Sequence, residues 1–132
     1  MSHYLKLYFA TLAVFFAVDM VWLVLVARSF YKKHLGYIMS PTINWIPAII
    51  FYILFVVGLL VFVVIPGVKE NSLQSTFLRA VLFGLITYAT YDLTNLATIN
   101  QWPLAVTLVD LVWGMVLSSI VSVAGFYLAK WL

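Results

Sequence analysis

Four apolar stretches, divided by short polar or proline-bearing links, constrain this chain more than any other feature. About twenty consecutive apolar residues cross the hydrocarbon core of a bilayer, and runs of that order extend from about Leu5 to Ala27, Trp45 to Ile65, Leu78 to Thr98 and Pro103 to Ala129. In lipid every backbone N–H and C=O has to be paired within the segment, which such runs achieve as helices. The expectation is an all-α, four-helix transmembrane bundle, with residues 1–132 as a single membrane domain. Composition agrees: 66% of the 132 residues are hydrophobic and only 8% charged, against about a quarter charged in soluble domains.

The links refine this picture. Pro66-Gly67 is expected to stop the second helix, ahead of the polar stretch Lys69 to Ser75, and Pro103 suits a first helical turn. Arg28 to Ser40, which mixes Lys32, Lys33 and His34 with Phe30, Tyr31, Leu35, Tyr37 and Ile38, is expected to lie among the lipid headgroups and over the mouth of the bundle. Asn100, Gln101 and Trp102 leave room only for a tight hairpin between the last two helices. The first run is longer than a signal-peptide core and contains Asp19, so it reads as a retained helix.

Several functions are disfavoured. The formal charge of +3 is scattered, whereas phosphate backbones demand clustered Lys and Arg, so no nucleic acid partner is expected. There is no cysteine, and no glycine-rich phosphate loop. His3 and His34 fall near opposite faces, so neither a zinc nor a haem site is expected, and no metal site is assigned. Cofactors are left open. Lys6, Lys69, Arg79 and Lys130 flank the side of the termini and Arg28, Lys32 and Lys33 the other, a balance from which the positive-inside rule cannot choose an orientation.

Three of the four acidic residues, Asp19, Asp92 and Asp110, fall inside apolar runs, where each costs about 2.5 to 3.5 kcal/mol near a helix centre. At about 1.5 Å per residue they lie roughly 12, 9 and 10 Å from the same face. Three positions on from each aspartate stand Trp22, Asn95 and Trp113, on the same helical side, and Tyr88 lies one turn before Asp92. These seven residues form the candidate ligand- or proton-binding group, with Asp92 expected at its centre. The plainer reading makes each aspartate a hydrogen-bonded clasp that sets helix register. One clasp suffices for that, and three carboxylates repel, so the layer as a whole points to function.

Asp110, Gly114, Ser118 and Ser122 recur at four-residue spacing on the last helix. Small residues of this kind let another helix approach closely, as packing or as a homodimer contact through helix four. Membrane lipid is the other expected partner.

The run Tyr88-Ala-Thr-Tyr-Asp-Leu-Thr-Asn-Leu-Ala-Thr98, followed by Trp102-Pro103 and Asp110-Leu-Val-Trp-Gly114, resembles the bacterial membrane-protein family catalogued as domain of unknown function 2177. Phe30-Tyr31, Leu35-Gly36 and Phe51-Tyr52 fit the same pattern. The resemblance implies an integral protein of the bacterial inner membrane and carries no catalytic residues. Three functions follow from the residues: proton- or cation-coupled binding or transport of a small molecule; an intramembrane enzyme acting on lipid; and an assembly partner of another membrane protein. A cavity past the aspartates marks the first, a lateral groove ending at them the second, and fully satisfied aspartates without a cavity the third.

Overall fold

The computed structural model describes residues 2–132 as four helices: α1 (Ser2–Leu35), α2 (Trp45–Lys69), α3 (Leu73–Thr98) and α4 (Leu104–Trp131). Among the described residues there is no strand. Three of them, α1, α2 and α4, are long and apolar enough to cross a membrane. α3 has the length but is less apolar, because Arg79, Asp92, Asn95 and its threonines interrupt the hydrocarbon side chains. A helix rich in polar groups is stable at membrane depth when neighbouring helices cover it, and α3 makes its most extensive contact with α4.

Two expectations about helix ends are corrected, both because of π-helical turns. Leu23–Ala27 is a π turn, after which Arg28–Leu35 continues as helix, so α1 does not end near Ala27 and the first eight residues of the Arg28–Ser40 link belong to it. A π turn takes up one extra residue. In an unbroken α-helix Tyr31, twelve positions beyond Asp19, would sit about 120° around the axis from it, and one absorbed residue reduces that to about 20°. The turn therefore brings Tyr31 to the aspartate side of the helix.

The second π turn, Leu60–Val64, precedes Pro66-Gly67, and the helix runs on to Lys69 instead of stopping there. Ile65 N–H bonds back to Leu60 C=O, so the ladder is already offset where proline removes a donor. Gly67 then packs where a Cβ would strike Thr76 of α3, and Thr76 is fully buried.

The half of the bundle nearer the termini is densely filled. Leu7, Phe15, Phe55, Val56, Leu59, Val63, Val64, Ala80, Leu117 and Val121 make one core. α3 and α4 come closest to touching backbones at mid-bundle, at Gly84 and Gly114, where a Cβ on Gly84 would meet the Gly114 carbonyl. In the other half, the beginning of α2 packs on α1 and diverges from α3. There Leu35, Trp102 and Val106 form a separate small cluster, with Phe30, Tyr31 and Leu96 against it. Tyr37 donates to the Gln101 carbonyl at 2.6 Å, so the end of α1 and the residues after it rest on the α3–α4 hairpin.

Candidate functional site

Where α2 diverges from α3, a cavity of about 470 Å³ opens between the helices. Asp19 and Asp110 reach it from α1 and α4, and Tyr88 and Tyr91 from α3. Trp22, Trp113, Tyr31 and Phe51 complete most of the wall. Behind Tyr88 the core begins at Phe55, whose ring is 6.1 Å from that of Tyr88 and 5.4 Å from those of Phe15 and Phe83. Leu23, Phe51 and Tyr91 at the rim are exposed on the outer surface of the bundle. The mouth is therefore lateral, between helices, at the depth of the apolar runs.

Each cavity aspartate receives a tyrosine hydroxyl from elsewhere in the chain. Tyr52 of α2 donates to Asp19, and Tyr31 of α1 donates to Asp110. Neither tyrosine is in the group chosen from sequence. Tyr52 had a legible signal: seven residues beyond Trp45, it lies roughly 10 Å into its helix from the aspartate face, the depth of Asp110. Tyr31 had none, because its position depends on the π turn.

The indoles meet between helices. Trp22 and Trp113 stack with ring centroids 4.4 Å apart and planes 8° from parallel. The stacked pair joins α1 to α4 beside the cavity, which both indoles line. On the far side of the stacked pair is a second, wholly apolar groove against Leu108, Val109, Val112 and Val116.

Asp92 is placed differently. It is 0% exposed, against 8% for Asp19 and 6% for Asp110, and it does not line the cavity. Neither oxygen of its carboxyl has a hydrogen-bond partner. Its backbone is held from α4: the Thr107 hydroxyl, which accepts from Trp102 Nε1 at 3.0 Å, donates to the Asp92 carbonyl at 3.4 Å. Asn95 is half-buried, adjoins Tyr91 and does not line the cavity. Of the three aspartates, Asp19 and Asp110 thus share the cavity and Asp92 lies outside its wall. Among the described residues no three acidic or histidine side chains gather closely enough to hold a metal ion.

The small-residue stripe of α4 faces inward. Gly114, Ser118 and Ser122 are buried, with Ser118 against Gly84, so this stripe is occupied by the chain's own α3. The exposed side of α4 is apolar, with Leu104, Leu108, Val112, Val116 and Ile120.

Helices too apolar for water, with acidic groups lining a cavity between them, define a polytopic α-helical membrane protein. Its family is shown by sequence: the model for the family described as "Predicted membrane protein (DUF2177)" matches residues 4–127, and the chain belongs to that family. No curated protein and no solved structure matches it.

Proposed function

We propose that this protein is a membrane receptor site for a small lipophilic organic cation that enters from the bilayer. The observation that carries the reading is the cavity wall: two carboxylates among six aromatic rings, with no lysine, arginine or histidine facing them. Its volume lies within the roughly 300 to 1,000 Å³ of small-molecule sites. Aromatic faces attract a cation by about 0.5 to 2 kcal/mol each, and a carboxylate supplies the opposite charge. A hydrated inorganic ion gains nothing from indole walls, whereas an alkyl- or aryl-substituted ammonium or phosphonium is desolvated at little cost. The lateral mouth supports entry from lipid.

That mouth also suits a lipid-acting enzyme. The wall offers such an enzyme no basic group for a phosphate and no serine or cysteine nucleophile, so binding is the reading preferred. A cavity and an unsatisfied Asp92 speak against a purely structural role. We place the protein in a bacterial inner membrane on the family resemblance. If it dimerises through α4, the contact uses the exposed Leu108, Val112 and Val116 side.

The test is tetraphenylphosphonium binding to protein in nanodiscs, followed by quenching of the Trp22 and Trp113 emission. Wild type is expected to bind, and the Asp19→Asn, Asp110→Asn double variant to lose at least tenfold in affinity. Triphenylphosphine oxide, similar in shape but neutral, should compete poorly. Equal affinity of wild type and double variant for the cation, or equal competition by the neutral compound, overturns the reading.

A further inference from the structure

The two carboxyls of the cavity do not stand side by side. α1 and α4 run antiparallel, and two contacts fix their register: a Cβ on Gly125 would lie 3.6 Å from Thr11 Oγ1, and the indoles of Trp22 and Trp113 stack. Asp19 comes three residues before Trp22 on one helix, and Asp110 three before Trp113 on the helix that runs the other way. At about 1.5 Å per residue the indole stack therefore lies between them, and the carboxyls are roughly 9 Å apart along the bundle. Depth counted from Ala27 hides this stagger, because in this register the start of α4 lies level with about Tyr31.

Each carboxyl has its own surroundings. Asp19 accepts from Tyr52 on Oδ2 and Asp110 from Tyr31 on Oδ1, and no other hydrogen bond reaches either one among the described residues. Both aspartates are more than nine-tenths buried, and both line the cavity. Between their levels the wall is aromatic: the stacked Trp22 and Trp113, and the Tyr88 ring, which lies 2.5 Å from where a Cβ on Gly114 would be. A buried carboxylate without a partner is costly. At this spacing one cation contacts one of the two carboxylates and leaves the other unpaired.

We propose that the ligand of this cavity is a lipophilic dibasic amine, its two nitrogens joined by a hydrocarbon chain that spans the aromatic middle, so that one ammonium meets Asp19 and the other Asp110. An extended chain of single bonds advances about 1.2 Å per bond, so about six carbons between the nitrogens match the stagger. Such a molecule suits the lateral mouth. Tertiary amines cross lipid as free bases and pair with a carboxyl as ammonium, the proton ending on nitrogen. Tyr31 and Tyr52 act as positioning residues: each occupies one oxygen of its carboxylate and leaves the other for the ligand.

This rests on the cation-binding reading of the cavity, and the experiment separates the two. Tetramethylhexanediamine, with two dimethylamino groups joined by six carbons, is titrated by calorimetry at neutral pH into protein in nanodiscs of zwitterionic lipid. Three comparisons run beside it: hexyldimethylamine, of similar length but with one nitrogen; tetramethylpropanediamine, whose three-carbon link is too short to reach both carboxylates; and tetraphenylphosphonium. In wild type the six-carbon diamine is expected to bind at least tenfold more tightly than either comparison amine. Asp19→Asn and Asp110→Asn should each bring it down to the affinity of the monoamine, which either remaining carboxylate still holds.

A smaller advantage over the monoamine or over the short diamine overturns two-point binding while leaving the cation site standing. So does an advantage that survives either substitution. A wild type that binds tetraphenylphosphonium and none of the amines has the same meaning, and one that binds none of the four compounds overturns both readings. If the Asn variants fail to fold, the comparison of chain length and charge number in wild type decides the matter alone.

Discussion

The two halves of the bundle are built from the same four helices and differ in what stands between them. From mid-bundle toward the termini, Gly84 and Gly114 bring α3 and α4 together, Gly67 lets α2 meet Thr76, and large aliphatic side chains fill the remaining space. Toward the Arg28–Ser40 side, the beginning of α2 leaves α3, and aspartates and aromatic rings surround a void. Close packing supplies much of helix association in lipid, where the hydrophobic drive between helices is weak. The dense half therefore holds the fold, which frees the open half to expose acids that a filled bundle would exclude.

The largest expected effect lies in the dense half. Gly84→Ala places a methyl group against the Gly114 backbone and Ser118, and overpacking of this sort costs about 1 to 3 kcal/mol. Phe51→Ala, at the rim of the cavity, removes a larger side chain that is 45% exposed and should cost less. Thermal unfolding in one detergent would show whether the added methyl group is worse than the lost ring. If the order is reversed, the division between a load-carrying half and an open one is wrong.

The dense half was the more legible from sequence. Apolar runs, turn residues and the hairpin at Asn100-Gln101-Trp102 located the helices because hydropathy follows the need to pair the backbone in lipid. The depth arithmetic also put Asp19 and Asp110 at one level, and they share a cavity. Rotation about the helix axes was not legible. A period of 3.6 residues cannot anticipate a π turn, so Tyr31, the continuation of α1 to Leu35 and the passage of α2 through Pro66 were hidden. For Asp92 and Asn95, which do not line the cavity, sequence gives the depth but not which neighbour they face.

Hydroxyls sharpen the contrast on a smaller scale. Tyr52→Phe and Tyr31→Phe each remove the donor to a cavity aspartate, and such a bond between membrane helices contributes about 0.6 kcal/mol on average and up to about 1.7. Ser118 and Ser122, buried in the dense half with no hydrogen-bond partner, gain nothing from their oxygens. Ser118→Ala and Ser122→Ala should unfold at or slightly above the wild-type temperature, and both Phe variants below it. Serine variants that unfold earlier than the Phe variants would mean the dense half relies on polar contacts.

The smallest effect is expected where the dense half meets water. Glu70, in the turn between α2 and α3, accepts from the Ser75 hydroxyl at 2.5 Å and from Arg79 Nη2 at 2.8 Å. The Ser75 and Arg79 hydrogen bonds hold its carboxyl below the usual glutamate value. A carboxyl lowered on folding stabilises the native state above the unfolded value, about 4.3 for Glu, and loses that contribution as pH falls through the folded value. The pair is exposed, at 47% for Glu70 and 43% for Arg79, so salt and water screen it. Melting temperature should therefore dip slightly more on acidification from pH 6 to 3 in wild type than in Glu70→Gln, and 1 M salt should shrink the difference. A Glu70→Gln protein that melts many degrees lower at neutral pH would contradict this, since it would place a main support of the dense half in its surface turn and not in the contacts of Gly67, Gly84 and Gly114.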